Sequence, residues 1–203
     1  MSTTDTSTTT QRAMRADARQ NYEKLVKAAT DAFAEHGSDA ALDDIARRAG
    51  VGIGTLYRHF PTRQELIEAT FCDQMDTLVA QAEELLKHPN PAEAFDIWLH
   101  ALLTQSRVCR CLAASVTIAL LDENSAVSAA GKAKSKAAAA LLERAQQAGV
   151  VRSDITSADV GRLVHGIALA TEKLPDGAEQ ADRLLGLVLD SLWTRRPDTQ
   201  PAL

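Results

Sequence analysis

The stretch 42–60, LDDIARRAGVGIGTLYRHF, constrains the fold of this chain more than any other. Leu42, Ile45, Ala46 and Ala49 recur at helical spacing, so one face of a first helix is apolar while Asp43, Asp44, Arg47 and Arg48 take the other. Gly50 stands directly after the last periodic residue, where a left-handed conformation closes a helix. A second helix is expected from about Ile53, capped by Gly52. There Leu56 and Phe60 lie one turn apart and point inward, which spreads Thr55, Tyr57, Arg58 and His59 over the outer surface. Pro61 stops it. Two short helices across a Gly-containing turn, the second with outward hydroxyl, phenol, imidazole and guanidinium groups, have the geometry that enters the DNA major groove.

Composition fits this reading once charge is resolved along the chain. The 203 residues are 45% apolar, with few aromatics and abundant alanine, so the chain is long enough for one or two cores and its elements should be helices. A net charge of −5 argues by itself against a nucleic-acid partner. Residues 1–63, however, hold nine Lys/Arg and eight Asp/Glu, for a charge of +1, whereas residues 64–203 hold thirteen and nineteen, for −6. A local patch can therefore meet phosphates while the acidic remainder discourages indiscriminate binding.

Catalysis is poorly supported. His36, His59, His88, His100 and His165 are isolated from one another, and no His-x-x-x-His, Cys-x-x-Cys or nucleophile-elbow pattern occurs. Cys72, Cys109 and Cys111 are too few and too oddly placed for a disulfide framework; they read as small buried hydrophobes, with a redox or metal role as the alternative. The glycines at 50, 52 and 54 follow no strand and lack the third spacing of a dinucleotide fingerprint. Neither an enzyme nor a cofactor protein is expected. No apolar run approaches the ~18 residues of a membrane span, and the N-terminus is not a signal peptide, which points to the cytoplasm.

Taken in order, residues 1–19 read as a disordered arm in which Arg12, Arg15 and Arg19 either reach DNA or are simply solvated. Tyr22, Leu25, Val26, Ala29 and Phe33 mark the buried stripe of a helix ending at Gly37. Thr62 and Glu65 form a capping box that opens a helix over about 63–86. Asn90 and Pro91 open a helix through Phe95, Trp98 and Leu103, and 107–121 continues as another. An alanine-rich helix is expected over about 129–148 and ends at Gly149. Thr156 and Asp159 open a helix over about 157–173, and a last one covers 178–193. This pair carries more apolar residues than one face needs, so Val160, Leu163, Val164, Ile167, Leu185, Val188 and Leu192 are the candidate dimer interface, with a tight intramolecular core as the alternative.

The run from Tyr22 to about Phe71 resembles the N-terminal DNA-binding domain of the tetracycline-repressor (TetR) family. The resemblance rests on AFAEHG at 32–37, DIA at 44–46, AGV at 49–51 and GTLYRHF at 54–60, followed by Thr62, Arg63 and Leu66. It implies an all-α fold of about nine helices: a three-helix helix-turn-helix domain over 20–64, a helical ligand-binding and dimerisation domain over 65–194, and a tail over 195–203. Two positions depart from the family pattern, because Ala41 and Gly52 stand where serine or threonine caps are common.

What this implies is a dimeric regulator, in the family's manner a ligand-responsive repressor, on a palindromic double-stranded operator. Ile53, Gly54 and Thr55 would lie near base edges, Tyr57, His59 and Arg63 on phosphates, and Arg47 and Arg48 beside them, with Gly52 and Arg58 completing the surface. A small, largely apolar effector would sit among Met75, Phe95, Trp98, Leu102, Leu112 and Val116, oriented by Gln105, Thr117 and His165. Both His100 and His165 also read as satisfied core histidines. The competing reading is a non-catalytic helical interaction protein with a co-opted reader.

Overall fold

The computed structural model describes residues 5–194. Eight α-helices and one short 3-10 turn follow in order: α1 (Asp5–His36), the turn Gly37–Asp39, α2 (Leu42–Arg48), α3 (Ile53–His59), α4 (Arg63–Leu85), α5 (Pro91–Leu121), α6 (Ala126–Gln147), α7 (Ser157–Ala170) and α8 (Gly177–Leu192). Extended pairing among the described residues is confined to an isolated bridge between Val151 and Trp193. The chain divides into two units, Met1–Asp73 with Cys111–Val116, and Gln74–Arg110 with Thr117–Leu203.

Local signals account for most boundaries. Gly37, Gly50 and Gly149 adopt φ of 74°, 70° and 69°, the left-handed region that a side chain resists, and each follows a helix end. Asn90 caps α5 by accepting from the Ala92 and Glu93 amides, with Pro91 as first residue. At the start of α7, Thr156 and Asp159 cap each other's backbone amides reciprocally. Thr62 Oγ1 accepts from the Glu65 amide at 3.2 Å and opens α4.

Two expectations are corrected, and a third falls outside the described residues. Residues 5–19, read as a disordered arm, belong to α1: Ala13, Arg15, Ala16, Ala18 and Arg19 favour helix, and residues 15–20 are exposed on a helix that continues into the packed part. The tail 195–203 lies outside the described residues. The helices expected on either side of Gln105 are one, since no Gly or Pro interrupts 92–121 and Gln105 and Ser106 are buried inside it.

In the first unit, Leu25, Ala29 and Phe33 of α1, Ile45 of α2 and Leu56 and Phe60 at α3 are buried, and α1 and α3 both pack with or beside α2. Leu66 and Ile67 from α4 are buried as well. Tyr22, expected in the buried stripe, is 41% exposed; its ring lies 5.1 Å from Phe60 and 6.2 Å from His59, bracing the end of α3 from outside. The second unit has a larger core built from Leu78, Phe95, Leu99, Leu141, Val164 and Leu185 with their neighbours. There Arg144 donates to the carbonyl of Leu85 at 3.2 Å and to that of His88, closing the end of α4.

Candidate functional site

The second helix of the reader is short, and its packing rests on Leu56 together with Phe60 just beyond its end. Everything else on α3 is available. Ile53, Gly54, Tyr57 and Arg58 are exposed, Thr55 and His59 half-buried. Gly52 caps the helix with φ −73° and ψ 150° and no side-chain bond, so the first amides of α3 have no side chain in front of them. A Cβ at Gly52 or Gly54 would meet no heavy atom within 4 Å, so neither glycine is required by packing. An exposed helical glycine costs ~1 kcal/mol against alanine; its use here is to let backbone approach a partner closely. Arg58 donates to Thr55 Oγ1 at 3.2 Å, which holds both groups on the outward row. Tyr57 is 49% exposed, on the outward row.

The other cations expected at the phosphates are partly engaged within the protein. Arg48 forms a two-pronged pair with Glu35 at 2.9 and 2.8 Å and also donates to Asp44 at 2.7 Å, tying the end of α2 to α1. Arg47 pairs with Asp44 too. These bonds hold both carboxyls below their ordinary range: for Glu35 the Arg48 hydrogen bond is the main cause, for Asp44 the bond from Arg47 and then that from Arg48. Arg63 donates through Nη1 to the carbonyls of Ser38 and Ala40. Ala41 caps α2 without a side-chain hydrogen bond, as its sequence requires. Sequence reading missed these internal partners because Glu35 and Ser38 lie thirteen and twenty-five residues from the arginines they meet.

The second unit holds a cavity of about 320 Å³ floored by Trp98, Leu102 and Ala138 and flanked by α7. Of the residues expected to hold an effector, Trp98, Leu102 and His165 line it. Phe95 and Met75 are buried in the same unit without lining the cavity, while Leu112 and Val116 belong to the first unit. Thr117 follows buried Val116 by one residue, a 100° step that leaves it exposed. His165 and His100 are exposed as well, not core residues: each bonds a carbonyl of its own helix, Gly161 at 2.6 Å and Asp96 at 3.0 Å. Among the described residues, the indole Nε1 of Trp98, Nε2 of Gln105 and Oγ of Ser106 are buried without a hydrogen-bond partner. Among the described residues, no cluster of three or more His, Cys, Asp or Glu is placed to hold a metal ion. Cys72 is half-buried; the side chains of Cys109 and Cys111 lie outside those described.

Residues 25–70 match the family of bacterial regulatory proteins of the tetR type, and residues 90–194, more than half of the chain, match the family "Transcriptional regulator SbtR-like, C-terminal domain". The chain belongs to the TetR family of transcriptional regulators. It is 38% identical to the TetR transcriptional regulator SCO0520 from Streptomyces coelicolor, over 84% of this chain and 97% of that one, with a TM-score of 0.72. A TetR transcription regulatory protein from Mycobacterium vanbaalenii is 32% identical, with 89% and 99% covered and a TM-score of 0.70. The HTH-type transcriptional regulator SAR0097 of Staphylococcus aureus strain MRSA252 is 35% identical over 79 residues, which span 37% of this chain and 41% of that protein.

As in its TetR relatives, α1 to α3 make a DNA reader, and no described helix is long and apolar enough to cross a membrane. The apolar residues of α7 and α8 divide differently from the expected interface. Val160, Val164, Ile167, Leu185 and Leu192 are buried in their own unit. Their faces point inward because α7 packs on α6 and α8, which satisfies that stripe intramolecularly. Leu163, 46% exposed, and Leu187, 56% exposed, remain outside with half-buried Leu184 and Val188.

Proposed function

We propose that this TetR-family protein binds a palindromic operator as a homodimer and releases it when a small effector occupies the second unit. The observation that carries the DNA part is the division of labour in α3, where Leu56 and Phe60 supply the packing and Gly54, Ile53, Tyr57 and Arg58 stay outside. One recognition helix buries too little surface for useful specificity, so two readers are needed and the operator mirrors their symmetry. Exposed Leu163 and Leu187 with half-buried Leu184 and Val188 support a dimer surface on α7 and α8. Each helix would bring one apolar row to a four-helix contact.

Effector binding is supported by Trp98, Gln105 and Ser106 of α5, whose buried polar atoms lack partners among the described residues. A native core rarely leaves such groups orphaned unless something else meets them. α4 contributes residues to both units, so a ligand that shifts its second-unit part acts on a rod whose beginning belongs to the reader. A coupling of ~1–3 kcal/mol, or about 5–150-fold in affinity, is sufficient. Selection of bound sites from random duplex DNA should enrich a palindrome, and sedimentation should show two chains per site. Recovery of no common sequence would sink the operator reading.

A further inference from the structure

We infer that Arg144 is a positioning residue for operator recognition: reaching from α6, it fixes the far end of α4 and thereby the separation of half-sites that the dimer accepts. This rests on the operator reading above and names the side chain on which its spacing depends. The need for such a fastening lies in the sequence of α4. Its last turn holds Glu83 and Glu84 and no basic residue, so negative charge stands where the helix dipole is already negative. Nor does a glycine close it. Gly37, Gly50 and Gly149, all with positive φ, follow α1, α2 and α6, whereas Leu86, Lys87 and His88 follow α4.

Arg144 supplies from another helix what this end lacks. Its two Nη atoms donate to the carbonyl oxygens of Leu85, at 3.2 Å, and of His88, while Lys87 pairs with exposed Glu84 at 2.7 Å. The guanidinium is planar and always charged, so its fork serves two acceptors at once, which the point charge of a lysine does less well. Its partners lie 59 and 56 residues back in the chain, so the bonds tie one helix to the end of another. Ser135 and Ala138, earlier on α6, line the cavity of this unit, and its described lining residues belong to α5, α6 and α7, not to α4. An occupant that displaces α6 therefore pulls on Leu85 and His88 through Arg144. Little movement is needed. The 23 residues of α4 span ~34 Å at 1.5 Å per residue, and residues 63–73 of it count with the reader. A tilt of about 6° on a rod of that length displaces one end by ~3.4 Å, a single base-pair step.

The test uses the full chain and the palindrome it selects from random duplex DNA, with operators whose half-sites are moved apart or together by one base pair. The wild type should bind both shifted operators at least about thirtyfold more weakly than the selected one, because both recognition helices must meet their half-sites together. Arg144→Met should reduce that penalty to about threefold or less. Arg144→Lys, which keeps the charge but not the fork, should fall between them. Gln146→Met removes a comparable pair of bonds from the same helix, to the carbonyls of Arg152 and Ile155, and should keep the wild-type penalty. Hydrogen exchange on the DNA-free proteins reads the fastening by itself: amides 86–88 should exchange at least about tenfold faster in Arg144→Met, with those of α8 unchanged. Where Arg144→Met does not fold by circular dichroism, Arg144→Lys carries both comparisons. A penalty as sharp in the folded Arg144 variants as in the wild type, or one lost equally in Gln146→Met, would overturn the assignment, as would unchanged exchange at 86–88. A wild type that selects no palindrome removes the operator reading and the spacing role with it, whereas faster exchange in the variant still supports the hold of Arg144 on α4.

Discussion

Arg63 donates to the carbonyl oxygen of Ala40 at 2.7 Å, and the same nitrogen reaches Ser38 at 2.9 Å. The first residue of α4 thus fastens the loop that leads into α2. Arg63→Ala should lower thermal stability by about 1–3 kcal/mol, because two buried-side carbonyls lose a charged donor. Operator binding should weaken with it. The salt dependence should change by less than the roughly 0.9 slope unit that one phosphate-paired charge contributes; a full unit would make phosphate contact its main role.

Gly54 separates folding from recognition. Gly54→Ala should stabilise the free protein by about 0.5–1 kcal/mol, since the helix gains propensity and the added Cβ meets nothing. Operator affinity should fall at the same time, by about tenfold or more, if backbone at this turn lies against base edges. Thermal melting and operator titration on one preparation check both signs; higher stability with unchanged affinity would place Gly54 away from the DNA.

The Glu35–Arg48–Asp44 network makes a pH prediction. Both carboxyls are depressed below ordinary values of 4.5 and 3.8, so their contribution to stability is present above those values and is lost as pH falls through the lower folded ones. The stability difference between wild type and Arg48→Met should be constant above about pH 5 and shrink below about pH 4. Denaturant titrations across that range measure it. Each of the three groups keeps part of its side chain in water, 51% for Glu35, 32% for Arg48 and 22% for Asp44, so the difference itself should be small.

Charge on α8 should give two distinct outcomes. Leu187→Glu should yield folded monomers that no longer hold the operator, because Leu187 is exposed. Leu185→Glu should unfold the second unit instead, since Leu185 is fully buried in its core; even truncation to alanine there costs about 2–5 kcal/mol. Sedimentation with circular dichroism distinguishes the two, and a Leu187→Glu dimer would move the interface elsewhere.

How much was legible in the sequence follows from the range of each signal. Gly50, Thr156 with Asp159, and Asn90 with Pro91 act within a turn or two, and the helix ends fall where they indicate. The inward pair Leu56 and Phe60 was equally local. The partition of α7 and α8 was not, because Leu185 and Leu187 are chemically identical and only packing by other helices buries one of them. The cavity's Lys134 and Gly161 carried no sequence signal at all, being an ordinary surface lysine and a helix-weakening glycine until α5, α6 and α7 bring them to one space. Where two helices are expected on either side of Gln105, a single helix runs through, with polar Gln105 and Ser106 buried by neighbours distant in sequence.

α5 has a consequence for how this molecule can be taken apart. Residues 111–116 count with the reader while the flanking turns of the same helix count with the second unit. A fragment cut after residue 73 would lack Leu112 and Val116, both buried, and would expose the apolar surface they cover. The reader is therefore not an exchangeable cassette at the chain's N-terminus. Grafting it onto a foreign sensor would require carrying a piece of helix from forty residues downstream, so any successful chimera must be spliced in three dimensions and not along the line of the gene.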